Sequence, residues 1–456
     1  MNELIKQYLY IFYSAILFLF IANTFIENEI LTYIIGLLAI PMLVISFFSA
    51  SKLFRILGIV FVIAGAALFI YSGLPFNEIP LLMTSTMPLL AFLTVLPWMN
   101  SVIRAGRYDR RINELMKANV SDLGKLYVRS NFTTYILTNF ISLTALLVSQ
   151  EVLLENMSKI KKKITDSFIN ETTLRAFALA ITWSPMEIMV AMTVDATGVS
   201  YLAYLPWLFL ISFVFLTFDS WRGNLKFRSI SYVKVEEQPT RTINTKDVTL
   251  KIVKLFLALT IFLITVVLIG SYFHLNFILS VTLVILPYAF GWALLMKRRY
   301  SFLAIGWETW KIRTNNMQNF VVLFLSLAFF SNSLNATPFL QLIQQPFLAS
   351  SESPLIVLFL IQLTYLVMSM VGVHPIATIG VLVEALQPLF TVMNPLSIGI
   401  VLITGALATS MAGTYNVSVM MTSINTNQNP YRIMVQNLPF ALFYGVVGTL
   451  VGYFLL

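Results

Sequence analysis

Apolar residues fill this chain in long runs instead of alternating with polar ones. Runs of roughly 18 to 22 residues, the length that crosses a bilayer as a helix, occur near 8–26, 30–48, 53–73, 80–98, 132–150, 176–198, 201–218, 250–271, 275–295, 317–334, 354–372, 374–392, 397–414 and 437–456. Some read as hairpins or half-helices, so the pattern predicts about 11 to 14 membrane elements. The alternating ten-residue segments of a membrane β-barrel are missing. The expected fold is an all-α polytopic membrane protein with two structural repeats, broken helices and re-entrant hairpins.

The polar interruptions carry more information than the runs. In TWSPMEIMVAMTVDATG, residues 182–198, a proline, a glutamate and an aspartate stand where a membrane helix should continue. Ser184 reads as an N-cap, Pro185 as the first helical residue and Glu187 as the third residue of a capping box. Pro185 cannot donate to the preceding turn, so the helix before it ends or kinks. At GVHPI, His374 takes the capping place, Pro375 opens a helix and Thr378 adds a hydroxyl. Each break leaves carbonyls and N–H groups without their helical partners partway through the bilayer. SNSLNATP (331–338) and AGTYNVS (412–418) are further polar interruptions suited to the same cavity, as is TNFIS near the tip of a hairpin.

An internal repeat is expected from the order of these features. NFTTYILTNFISL, WSP, an apolar segment with Asp195 and LP at 205–206 are followed later by NFVVLFLSL, VHP, an apolar segment with Glu384 and NP at 394–395. The expected division is 1–218 as an N-terminal repeat with extra leading helices, 219–250 as a basic cytoplasmic linker and 251–456 as a C-terminal repeat. Paired broken helices in corresponding positions of two halves point to the substrate and ion site of a secondary transporter. The candidate binding residues are Asn139, Ser142, Thr182, Ser184, Glu187, Asn332, Asn335, His374, Thr378 and Asn416, with Pro185 and Pro375 as the helix breaks.

Charge then sets the orientation. The chain carries a net charge of +9, but its basic residues lie in connections between spans, as cytoplasmic loops require, so nucleic acid is not the implied partner. Loops 99–131, 155–175 and 219–254 are the dense ones, and they place the N-terminus in the cytoplasm of a multi-pass cell-membrane protein. Because both flanks of 132–153 are basic, this run reads as a hairpin entering and leaving on one side, its tip near Asn139 to Ser142; the alternative is a plain span with one exception to the charge rule. The connectors IKKKITDSFI and RINELMKANV carry apolar stripes (Ile160, Ile164 and Phe168; Ile112, Leu115 and Met116) of interfacial helices. The first apolar run lacks a cleavage site and reads as a retained helix. With no cysteine, disulfides and thiolate chemistry are excluded, and with two histidines, His274 and His374, a multi-histidine metal site is not expected. GxSG, GxGD and HExxH are absent, so an enzyme is not expected.

The plan resembles the ion-transporter superfamily, which includes divalent-anion/sodium symporters, arsenite and citrate carriers and the large membrane subunits of tripartite transporters. The resemblance rests on TWSPM and GVHPI as helix breaks, on NFTTYILTNFISL and NFVVLFLSLAFF as hairpins and on the twofold repeat, across most of residues 131–414. Where those symporters carry paired Ser-Asn-Thr motifs, this chain has only TNFIS and SNSLNAT. The expected function is secondary active transport of a small anionic or amphiphilic substrate by alternating access. Na+ or H+ would be the coupling ion; no cofactor or metal is required, the bilayer is the main partner, and a homodimer is compatible. The alternative is a translocase for a lipid-linked intermediate or envelope polymer. Glu187 and His374, from opposite repeats, are the expected proton-coupling pair.

Overall fold

The computed structural model describes residues 3–108, 116, 120–231, 245–414 and 416–456. Every apolar run is built of helix, some of it interrupted, and the described residues add only an isolated bridge between Asp122 and Ser231. The helices are α1 (Glu3–Ile26), α2 (Glu29–Ser49), α3 (Lys52–Ser72), α4 (Ile79–Leu82), α5 (Met87–Ala105), α6 (Leu123–Ile141) and α7 (Leu143–Asn156). Then come α8 (Lys162–Ile169), which passes through a π turn at Asn170–Leu174 into α9 (Arg175–Ile181), then α10 (Ile188–Thr197), α11 (Tyr201–Phe227), α12 (Thr245–Phe273) and α13 (Phe277–Leu295). The chain ends with α14 (Arg299–Asn315), α15 (Gln318–Asn335), α16 (Phe339–Ala349), α17 (Pro354–Met370), α18 (Pro375–Leu386), α19 (Pro395–Ala412), α20 (Val417–Thr426) and α21 (Pro430–Phe454). Among the described residues, nine helical segments are long and apolar enough to cross a bilayer. The protein is a polytopic helical membrane protein.

The chain folds into two compact units that interleave in sequence. One comprises Met1–Val102, Ile269–Glu352 and Ile379–Leu389; the other comprises Ile103–Leu268, Ser353–Thr378 and Phe390–Leu456. This differs from the serial division at 218 and 250, because each unit recruits helices far apart in the chain. The expected linker also begins too early, since α11 continues through Phe227, while 232–244 lie outside the described residues.

In the first unit α15 packs along α3 and against α2. The seam joins small residues to rings: a β-carbon on Gly58 would stand 2.5 Å from Val322, and one on Gly65 would stand 2.9 Å from the Phe329 ring. Phe54 meets Phe320, and Phe61 meets Phe330, with ring centroids 6.3 and 5.3 Å apart. Lipid tails are as apolar as leucine, so such helices are held by close contact and not by escape from water. This packing corrects one expectation: NFVVLFLSLAFF lies inside the single helix α15 and forms no hairpin. With no helix-reversing residue and neighbours along its length, an unbroken helix satisfies all its backbone groups. The bend lies earlier, where α14 and α15 meet at 54°.

The second unit does contain the expected hairpin. Asp122 opens α6 by accepting from the Lys125 N–H at 2.9 Å, and the chain reverses at Ser142, with φ 44° and ψ −129°. Leu123, Leu126 and Tyr127 at the start of α6 share one cluster with Leu153 and Met157 at the end of α7. Both arms therefore return to the same end of the unit. Phe168 joins that cluster and Ile160 and Ile164 pack on it, so the apolar stripe of IKKKITDSFI covers protein. Of the other connector, Ile112 and Leu115 lie outside the described residues, while Met116 is buried.

Two triplets of helices in this unit are related by inversion. Helix α6 packs on α9 and α11, and α17 packs on α19 and α21. Tyr127 stacks on Phe227, Asn131 bonds Ser220 and Tyr135 meets Ser212, so α6 and α11 are antiparallel. Gln362 lies by Gly445 and Leu358 by Gly452, so α17 and α21 are antiparallel too. Between the triplets, Phe215 packs on Phe440 and Tyr444 while Asp219 and Asn437 share Arg175, which makes α11 and α21 antiparallel. The two triplets therefore point in opposite directions. The structural register pairs the Leu-Pro at 205–206 with the Leu-Pro at 438–439, and the break at 182–187 with that near 413–416. It is not the register of WSP with VHP, because His374 follows α17, the counterpart of the hairpin arm α6.

Candidate functional site

Four interruptions of helix fall in the second unit: Ser142, residues 182–187, residues 371–374 and the stretch around Gly413 and Asn416. At Ser142 the backbone N–H closes the preceding turn on the Thr138 carbonyl, and at the other three side chains bond the freed backbone groups. At the first break, the Trp183 carbonyl accepts from the Tyr201 hydroxyl, and the Trp183 indole donates to Tyr135 at 2.7 Å. Thr182 bonds both the Ala178 carbonyl and Tyr444 at 2.9 and 2.7 Å. Ser184 and Pro185 lie in the turn, and helix α10 begins only at Ile188, with Glu187 in the N-cap position. The expected capping box from Ser184 to Glu187 therefore does not form and the N-cap moves three residues on: the Ser184 oxygen faces the Met186 N–H at 3.4 Å, and the Glu187 N–H donates to the Ser184 carbonyl. Proline fixes the turn but does not start the helix.

The third interruption follows the expectation closely. Pro375 opens α18, and His374 Nδ1 accepts from the Ile376 N–H at 3.2 Å. Thr378 sits in the first turn with a buried hydroxyl that finds no hydrogen-bond partner among the described residues. At the fourth, the Gly413 N–H donates to Thr409, and Asn416 caps α20 by accepting from the Ser418 N–H at 3.3 Å.

Helices α7 and α20 bring two of these interruptions together. Gln150 donates to Thr422 at 2.7 Å and accepts from Asn425 at 3.1 Å, and Lys162, just beyond α7, donates to the Thr426 carbonyl at the end of α20, so the two helices run side by side towards the same end. The hairpin tip at Ser142 and the cap at Asn416 consequently begin this pair at similar depth. Asn139, one turn before the tip, donates to the Tyr135 carbonyl and leaves its own buried Oδ1 without a partner among the described residues.

Other predicted residues are placed elsewhere. Asn332 and Asn335 belong to the first unit. Asn332 donates to the Leu82 carbonyl and Ser85, which is a packing role, and Asn335 lies beside Glu384. Glu187 and His374 form no ion pair; the hydrogen bonds of the Glu187 backbone stay within its own segment, to Ser184 and Ala191.

A buried charge cluster escaped the sequence reading. Arg175, counted there as a loop cation, is only 3% exposed and donates to Asp219 at 2.7 Å and to Asn437 at 3.0 Å. Asp219 is fully buried and also accepts from Tyr127 and Asn131. Glu171, in the π turn, receives Arg222, Lys226 and Gln436. These charges tie α6, α8, α9, α11 and α21 together. A signal was available: Asp219 follows directly on an apolar run, three residues before Arg222, where a continuing helix puts both on one face.

No protein-family model and no curated protein matches the chain. Among solved structures, it is similar to the YdaH transporter of Alcanivorax borkumensis, whose crystal structure is described as having an unusual topology. The identity is 12%, the TM-score 0.61, and the match covers 87% of this chain and 97% of that one. At that identity the likeness is one of fold, and it extends over nearly all of both molecules.

Proposed function

We propose that this protein is a secondary active transporter that moves a small anionic or amphiphilic molecule across the cell membrane by alternating access, driven by protons or sodium. The observation that carries the reading is the gathering of four helix interruptions in one unit built from inverted triplets. Such breaks expose helix ends and carbonyls at depth, where they can bind an anionic group and a cation without spending a buried charge. The transporter fold of the structural neighbour supports it, as does the ion-transporter resemblance. Asn139, Ser142 and Asn416 are the leading contacts, followed by Thr182, Ser184 and the capped turn at His374 and Thr378. Glu187 and His374 are the titratable groups at the breaks, and each acts through its own helix end.

Uptake into vesicles reconstituted with the full chain, under an imposed pH or sodium gradient, tests this with a panel of aliphatic and aromatic carboxylates. A gradient-dependent flux that falls in Pro185→Ala with Pro375→Ala, at unchanged insertion, is the expected result. Absence of flux for every anion under both gradients, with the protein correctly folded, would refute it.

A further inference from the structure

At the basic end of the second unit, a cavity of about 740 Å³ opens beside the buried charge cluster. Among the described residues its wall carries Lys163, Arg175, Arg222, Lys226 and Arg432, with Glu171 as the one carboxylate and Asp219 sealed behind it. Both carboxylates are already saturated. Glu171 takes Arg222, Lys226, Gln436 and Ser167, and Asp219 takes Arg175, Tyr127 and Asn131. Lys163 and Arg432 are exposed and pair with no carboxylate among the described residues, and the buried Nε of Arg222 has no acceptor there. Five cations thus face the negative charge of two carboxylates, leaving an excess of positive charge in a concave site. The first turn of α21, the positive end of that helix dipole, forms part of the rim, where Tyr431 and Val435 add an apolar edge.

We propose that this cavity binds a phosphate group, held by Lys163 and Arg432 beside the partly exposed guanidinium of Arg222. A tetrahedral oxyanion presents enough acceptors for donors converging from α8, α11 and α21, and Arg and Lys together suit it. Two sources supply that chemistry: a soluble phosphate compound, or the headgroup of an anionic lipid in the leaflet facing the basic loops. The site is separate from the helix interruptions and is independent of what the protein transports.

The experiment uses the full chain purified in a neutral detergent and reads thermal unfolding at constant ionic strength. In one arm inorganic phosphate is titrated against chloride; in the other the protein is placed in bilayers of phosphatidylcholine with or without phosphatidylglycerol. Saturable stabilisation by phosphate identifies a soluble ligand, and stabilisation by phosphatidylglycerol alone identifies a headgroup. In either case Lys163→Gln with Arg432→Gln should weaken half-saturation by about tenfold or more, since each removes a charge-assisted bond. Neither side chain supports the buried cluster, so the variant should fold. A direct measure of bound phosphorus in purified wild-type and variant protein covers the case of a changed baseline. Stabilisation by neither probe, or equal response and equal phosphorus in the double variant, would overturn the proposal.

Discussion

The two units solve the membrane problem in opposite ways. The first brings unbroken helices together through glycine and phenylalanine, as α3 and α15 do, and bends where α14 meets α15. The second interrupts its helices at four places and buries Arg175, Asp219 and Glu171. Each choice fixes what the unit can tolerate. Close apolar packing is intolerant of added volume, while a buried charge cluster is intolerant of losing one partner. The difference teaches that polar groups in this protein are concentrated where helix geometry is already broken, leaving the other unit free to be a simple packed bundle.

The largest effect should come from breaking the charge cluster. Arg175→Gln removes the cation hydrogen-bonded to the fully buried Asp219 and leaves it only Arg222 at 3.6 Å, a loss of about 3 kcal/mol that thermal unfolding of the purified protein would detect. Replacing Arg175 and Asp219 together with apolar residues should recover much of it, because both desolvation costs vanish. If the single variant is as stable as wild type, the cluster does not hold the second unit together.

A smaller effect is expected in the first unit. A β-carbon at Gly36 would stand 2.2 Å from the Pro80 carbonyl oxygen, which is backbone and cannot swing away. Gly36→Ala should therefore cost about 1–3 kcal/mol, with α2 and α4 forced apart. Its additivity with Arg175→Gln sharpens the contrast, since substitutions in separate units that share no partner should add. Marked non-additivity would mean that the two sites are energetically coupled.

The smallest effect concerns the hairpin entry. The Lys125 backbone N–H and the Ser121 hydroxyl hold the Asp122 carboxyl below the usual carboxylate range. A group with a lowered folded pKa stabilises fully above its unfolded value, and that contribution is lost as pH falls through the folded one. Asp122→Ala should cost about 1 kcal/mol near neutral pH, and the difference from wild type should shrink in acid. An undiminished difference at pH 3 would rule out the carboxylate as the source of the capping.

Several features were legible in the chain itself. Bilayer-length apolar runs dictated helices, because backbone in lipid must satisfy itself locally, and every run is built of whole or interrupted helix. Basic residues on both sides of 132–153 announced the hairpin, and Ser142 reverses it where expected. Pro185 and Pro375 marked real breaks, for proline lacks the N–H that a continuing helix needs. What the chain did not reveal was partnership. NFVVLFLSLAFF and NFTTYILTNFISL look alike, yet one becomes a straight helix under α3 and the other the arm of a hairpin, because neighbours distant in sequence decide which is buried against what. The same holds for Arg175, whose character changes from loop cation to buried partner only when α11 and α21 bring Asp219 and Asn437 to it. Local sequence sets helix and break, since those depend on bonds a few residues long; the register of the repeat and the pairing of charges depend on contacts across hundreds of residues, and only the tertiary structure decides them.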